Sequence, residues 1–190
     1  MLEKMLNLLQ EISVDENSAW NKMIEFLIVD NQGRYFFQID HKFEWLWEDE
    51  GFTSRFMSIY DSVLLRSDCQ DHVGELYYKR MLNKTCSDNS SIRKILHQKG
   101  ITYSSVGTGK EILQAAKKNP NTKYYGVESD IKLYRIALTN CIIHGVDVQL
   151  LNANPNEHDI NVQTVNGRSN WKYANRWKVD CDKLKPVAIG

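Results

Sequence analysis

The apolar positions of the chain fall into two regimes. As far as about residue 85 they recur at helical spacing. Leu2, Met5, Leu6, Leu9 and Ile12 form one stripe, and Trp20, Met23, Ile24, Leu27 and Ile28 form the face of a second helix that ends at Asn31-Gln-Gly33. Ser13 and Glu16, three positions apart, read as the capping box of that second helix. Phe52, Phe56, Ile59, Tyr60, Val63 and Leu64 predict a third helix, and Val73, Leu76, Tyr77 and Met81 a fourth. Between the second and third lies a stretch both aromatic and acidic (Tyr35, Phe36, Phe37, Phe43, Trp45, Trp47, then Glu48-Asp-Glu50). It reads as a short helix or an irregular packing element whose rings serve the core. Asn83 to Ser91 is a polar connector, and Ser91 predicts the cap of a short helix through Leu96 that Gly100 stops.

From Ile101 the period changes. Short β-branched and aromatic runs alternate with helical stripes: strand 101–106, helix 110–118, strand 124–128, helix 130–144, strand 147–151. In the second of these helices Tyr134, Ala137, Leu138, Cys141 and Ile142 share a face, and His144-Gly145 ends it. Strands and helices alternating across short turns imply parallel strands joined by right-handed crossovers. The chain is expected to be α/β: a helical region over 1–97, a βαβαβ unit over 98–152 that forms a Rossmann-like half-sheet of about three strands, and an aromatic-basic tail over 153–190.

Composition narrows the function classes. Of 190 residues, 42% are hydrophobic and 25% charged, which suits a globular chain with its own core. The 24 basic and 24 acidic residues cancel, so binding to nucleic acid would need a local patch. Cys69, Cys86, Cys141 and Cys181 make no CxxC pair, and His41, His72, His97, His144 and His158 are scattered without metal-ligand spacing, so no metal is expected. Charges interrupt the N-terminal apolar run, and no run approaches the ~20 residues of a membrane span, so the expectation is a cytoplasmic protein without membrane contact.

The chemistry concentrates in one stretch. The run 101–106 leads into Gly107 and Gly109, a helical segment follows, and the next strand ends in Glu128, 21 positions after Gly107. In a nucleotide-binding βαβ unit the glycine turn brings a ligand to a helix N-terminus, and an acid about 20 residues on takes the ribose hydroxyls. A Walker-type loop is excluded, because Glu111 and not Ser or Thr follows Gly109-Lys110.

Residues 101–152 resemble the cofactor half of a class I S-adenosylmethionine-dependent methyltransferase, especially the adenine-specific DNA methyltransferases of restriction–modification systems and mobile elements. Ser105-Val-Gly-Thr-Gly-Lys-Glu-Ile-Leu113 resembles the first motif of that family, Tyr124-Tyr-Gly-Val-Glu-Ser-Asp130 and the helix through Asn140 its second, and Gly145 to Asn154 its third strand. Upstream, Asp71-His-Val-Gly-Glu-Leu-Tyr77 is similar to a helical segment that precedes the catalytic domain in such enzymes. The resemblance implies S-adenosylmethionine as cofactor. Gly107 and Gly109 would pass its methionine moiety and ribose, Glu128 would hold the ribose hydroxyls, and Asn154, after the third strand, would stand near the adenine amine.

Several positions depart from the family pattern. Ser105 replaces the acid that opens the first motif and partners the cofactor's ammonium group. Glu111 replaces the third glycine, where a side chain bars close approach. The catalytic Asp/Asn-Pro-Pro-Tyr/Phe motif, which holds a flipped adenine by its amino group and stacks on it, is absent, and Asn154-Pro155 lacks its second proline and its ring. The unit is therefore expected to be truncated and degenerate. In the doubly wound order its first strand would normally lie inside the sheet, so residues 101–106 should show an open edge covered by the tail, by the helical region or by a second copy of the chain.

Two functions fit. One is a degenerate methyltransferase-like protein without catalysis that binds a nucleic acid or protein partner, including a mobile-element inhibitor of a DNA-processing complex. Arg168, Trp171, Lys172, Tyr173, Arg176, Trp177 and Lys178 support it by interleaving stacking faces with phosphate partners, although the same residues could simply pack the tail onto the domain. The other is an S-adenosylmethionine-dependent DNA adenine methyltransferase, or its cofactor-binding subunit.

Overall fold

The structure, a computed structural model, describes residues 1–31, 43–63, 68–84, 93–97, 100–152 and 176–178. Four of its helices come first in the chain: α1 (Leu2–Gln10), α2 (Glu16–Asn31), α3 (Glu44–Trp47) and α4 (Glu50–Val63). The stripes seen in the sequence are their buried faces. Met5, Leu6, Leu9, Met23, Leu27 and Phe56 are fully buried. Phe26 organises the aromatic stretch, with the rings of Phe43, Phe56 and Tyr60 edge-on at 5.4, 4.9 and 5.1 Å. Edge-to-face pairs of this kind add about 0.5–1.5 kcal/mol each beyond area burial. Phe43 is core, whereas Trp47 is 46% exposed. Tyr35, Phe36 and Phe37 lie outside the described residues.

The cap of α2 differs from the expected one. Asp15 accepts the Ser18 N–H at 2.7 Å, while the buried Ser13 Oγ has no hydrogen-bond partner. The capping-box spacing was satisfied by Ser13 and Glu16, but the helix begins two residues later than that pairing requires.

Helix α5 (His72–Met81) follows, then five strands: β1 (Arg93–His97), β2 (Gly100–Ser104), β3 (Tyr124–Glu128), β4 (Val148–Asn152) and β5 (Arg176–Lys178), with α6 (Lys110–Lys118) and α7 (Ile131–Ile143) as the crossovers. The sheet runs in the order β1-β2-β3-β4-β5. Its three central strands are parallel, with Ile101 opposite Tyr124 and Tyr124 opposite Val148. This is the expected parallel half-sheet. Its two edge segments were not expected as strands. Residues 93–97, read as a helix, form β1 and pair antiparallel with β2 from Arg93↔Ser104 to His97↔Gly100. The edge of β2 is therefore covered in cis by the end of the 1–97 region, one of the three covers expected, and no second copy is needed there. The backbone groups of β2 require partners, and the nearest segment upstream supplies them. At the far edge the tail contributes β5, where Trp177 pairs with Leu150.

Helix α7 joins the two halves of the molecule. It contacts α2 and α5 on one side and β3, β4 and α6 on the other. Nine of the ten positions from Tyr134 through Ile143, all but Arg135, are accordingly buried, not only the single face that the sequence suggested. One continuous hydrophobic cluster runs from Leu2 to Leu150. No helix among the described residues is long and apolar enough to cross a membrane.

The two substitutions Asp15→Ala and Ser13→Ala test the observed cap. Loss of the Asp15 acceptor should cost about 1 kcal/mol. Removal of the unsatisfied Ser13 hydroxyl should be neutral or stabilising. Urea denaturation reads both, and a larger loss from Ser13→Ala would contradict the observed cap.

Candidate functional site

After Ser104 the chain turns sharply. Ser105, Gly107 and Gly109 all have positive φ, at 54°, 57° and 86°. For Ser105 this is a strained conformation that the surrounding structure must hold in place. It is held from both sides: Val106 N–H donates to the Val127 carbonyl at 3.1 Å, and Gly109 N–H to the Val106 carbonyl at 2.9 Å. Gly109 is the N-cap of α6. A Cβ there would lie 3.2 Å from Ala137 Cα on α7. Its glycine is thus required by left-handed backbone and by close helix packing, before any ligand is considered.

Glu128 reaches the same turn. Its Oε2 accepts the Gly107 N–H at 2.8 Å and its Oε1 accepts the Asp130 N–H at 3.0 Å. The residue is 6% exposed. Across the β3–β4 pair, Glu128 stands opposite Asn152, whose Nδ2 donates to the Glu128 and Ser129 carbonyls at 2.8 and 3.1 Å. The strand end that carries the acid is therefore fixed by backbone and amide contacts. Oε1 also faces the Ser129 hydroxyl at 3.5 Å, whereas Oε2, with one N–H accepted, keeps lone-pair capacity for a further donor.

A second carboxylate, from a distant segment, holds the other side of the turn. Asp71 caps α5 by accepting the Gly74 N–H at 2.9 Å. Its Oδ2 accepts the Thr108 hydroxyl, and its Oδ1 the Asn140 amide at 2.6 Å. Asn140, fully buried on α7, also donates to the Thr108 carbonyl at 2.9 Å and accepts the Val73 N–H at 3.1 Å. The start of α5, the glycine turn and the last turn of α7 are thus tied by one buried polar network. Burial pushes the Asp71 carboxyl above its ordinary value, against the three hydrogen bonds from Thr108, Asn140 and Gly74. Gly74 completes the clamp, because a Cβ at that position would overlap the Asp71 carboxylate.

The structure brings Gly107, Gly109 and Glu128 together as the sequence implied. Asn154 lies outside the described residues, as do Arg168, Trp171, Lys172 and Tyr173. Arg176, Trp177 and Lys178 form β5. Asp71, Thr108, Asn140 and Asn152 were not recognised as site residues from the sequence. Only the likeness of Asp71–Tyr77 to a family segment pointed toward them.

A family model described as N-6 DNA methylase matches residues 75–177, just over half of the chain. The match begins inside α5 and ends inside β5. Comparison with curated proteins and with solved structures finds no match.

Substitutions in the clamp should separate its parts. Asp71→Ala removes a cap worth about 1 kcal/mol and leaves buried donors unpaired at about 1–3 kcal/mol each, so a loss of roughly 2–4 kcal/mol is expected in urea denaturation. Gly74→Ala, favourable in an ordinary helix by about 1 kcal/mol, should here destabilise; a gain in stability would refute the clamp. The pH dependence has a defined sign. With its pKa raised on folding, Asp71 keeps its proton in the native state in a window above 3.8 where the unfolded chain has released it. Its contribution to stability is therefore greatest below 3.8 and falls as pH rises through that window. Asp71→Asn should remove this component, seen as a flatter profile than wild type from pH about 4 upward. Parallel profiles would show that the carboxyl is not perturbed.

Proposed function

Since the chain belongs to the N-6 DNA methylase family, we propose that it is a methyltransferase-like protein that keeps the nucleoside-holding half of the cofactor cradle and acts by binding, without methyl transfer. The observation that carries this reading is the disposition of the carboxylates around the glycine turn. Glu128 stands at the turn with acceptor capacity for a ribose. Ser105 offers no carboxylate where the family's first motif has one, and the nearby Asp71 is committed to Gly74, Thr108 and Asn140. Glu111 lies in the first turn of α6, where its charge already complements the helix N-terminus that would otherwise meet an anionic group.

The family implies S-adenosylmethionine. The residues fit its ribose, through Glu128 and the Gly107 turn, and do not fit its ammonium group. No methyl-transfer step follows from such a site. Family membership and the run from Arg168 to Lys178 support DNA as the partner. Those side chains alternate stacking faces with cations, which suits a single strand. An inhibitor of a DNA-processing complex, for example one carried by a mobile element, is the form of such a protein that would need binding alone. The competing reading, an adenine methyltransferase or its cofactor-binding subunit, draws on the geometry of Glu128.

Calorimetry decides between them. Adenosine, S-adenosylhomocysteine and S-adenosylmethionine should bind with similar, modest affinity, and Glu128→Ala should weaken all three by about 10- to 100-fold. Much tighter binding of S-adenosylmethionine together with methylation of adenine in DNA would establish the enzyme instead. For the partner, fluorescence anisotropy with single-stranded DNA should show a salt-dependent affinity. Replacing Lys172, Arg176 and Lys178 by Ala should reduce the slope of log affinity against log salt by about 2. An unchanged slope would remove the run from the interface.

A further inference from the structure

A second cluster of chemically active side chains lies just outside the clamp. Two histidines that are 72 positions apart in sequence meet one aspartate. His72 opens α5, His144 caps the C-terminal end of α7, and Asp68 stands in the segment leading into α5. His72 Nε2 lies 2.7 Å from Asp68 Oδ2. His144 Nδ1 lies 3.5 Å from Asp68 Oδ1. One potential ligand atom from each of the three residues falls within 4.8 Å of the others. The imidazole rings are 5.7 Å apart at 31°, side by side, so that each turns a nitrogen toward the same carboxylate.

The protonation of His144 follows from its other contact. Its Nε2 is 2.8 Å from the Gln70 carbonyl. A carbonyl only accepts, so Nε2 carries the proton, and in the neutral ring Nδ1 turns its lone pair toward Asp68. This is the arrangement that orients a metal-ligating histidine: one nitrogen donates to a backbone carbonyl, which fixes the tautomer and directs the other at the ion. The His144 side chain is fully buried, while those of His72 and Asp68 are 21% and 41% exposed. One ligand is thus held rigidly, and two can adjust and admit an ion from solvent.

We propose that Asp68, His72 and His144 form a binding site for a borderline divalent metal ion of the zinc class, with water completing the coordination. Two imidazoles and a carboxylate suit such ions and suit calcium or magnesium poorly. The 3.5 Å separation of His144 and Asp68 is close to the edge of a zinc tetrahedron, about 3.3 Å for bonds of about 2.0–2.1 Å. The 2.7 Å contact of His72 with Asp68 opens by a few tenths of an ångström as the ion replaces the proton between them. The ion would have a structural consequence. Asp68 and His72 flank Asp71, and His144 lies one turn beyond Asn140, so the metal would tie together the same two elements as the polar network that holds the glycine turn.

The test uses untagged full-length protein stripped of metal. Titration with Co²⁺ should saturate at one equivalent, with the intense ligand-field bands of a low-symmetry nitrogen and oxygen site and without thiolate charge transfer, which separates it from Cys69 and the other cysteines. Zn²⁺ should displace the cobalt and raise the thermal unfolding midpoint. Asp68→Asn and His72→Gln, both at partly exposed positions, should fold and lose about 100-fold or more in affinity. His144→Gln should do the same if it folds, but the outcome does not depend on it. Absence of saturable binding up to millimolar metal, a thiolate band, or affinity unchanged in both Asp68→Asn and His72→Gln would each overturn the site.

Discussion

A primary amide in the buried last turn of the helix between the two layers governs this structure. Asn140 has no access to water, so its donors and acceptor must be met within the protein. Each hydrogen bond it makes contributes on the order of 1 kcal/mol net, but each one left unmade costs about 1–3 kcal/mol. The asymmetry makes Asn140 selective more than strengthening. Only one placement of α5 and of the Thr108 turn satisfies it, so the helical layer and the sheet, each able to bury apolar surface in many ways, are held in a single relation.

That relation determines what the glycine turn can do. Ser105 is held in a left-handed conformation that it would not choose, and Thr108 is tied through both its hydroxyl and its carbonyl. The loop is therefore pre-shaped, and a ligand would not have to order it. Pre-shaping also restricts it. The carboxylate on the other side of the turn is Asp71, and its oxygens are already taken by structural donors. In the proposed reading, nucleoside recognition and cofactor chemistry are separable, because Glu128 would serve the first while Asp71 is held by Gly74, Thr108 and Asn140.

What could be read from the sequence was local. The change of period at Ile101, the bounds of α6 and β3, and the spacing of Gly107 to Glu128 all follow from side-chain alternation over a few residues. The edges of the sheet did not. Arg93–His97 is too short and too charged to show a period, and the Ser91 cap signal outweighed it. β5 offers only three residues. The clamp could not be read at all, because Asp71 meets Thr108 and Asn140 across 37 and 69 positions, and nothing in one sequence marks such a pair. The same holds for His72 and His144. Both were noted as isolated histidines, and they become neighbours only because α5 and α7 pack together.

The β1–β2 hairpin bears on how such a sheet is assembled. Parallel strands must wait for a whole crossover to fold before they meet, whereas β1 and β2 are separated by two residues. Loop closure over ~20 residues costs roughly 2 kcal/mol more entropy than over two, at about 0.6 kcal/mol per doubling. β2 can thus acquire its first neighbour, and with it an extended shape, before α6 exists. The later parallel strands then add to a template instead of finding one another in an unfolded chain. A strand that looks like a patch on a damaged edge is, in the order of events, the place where the sheet can start.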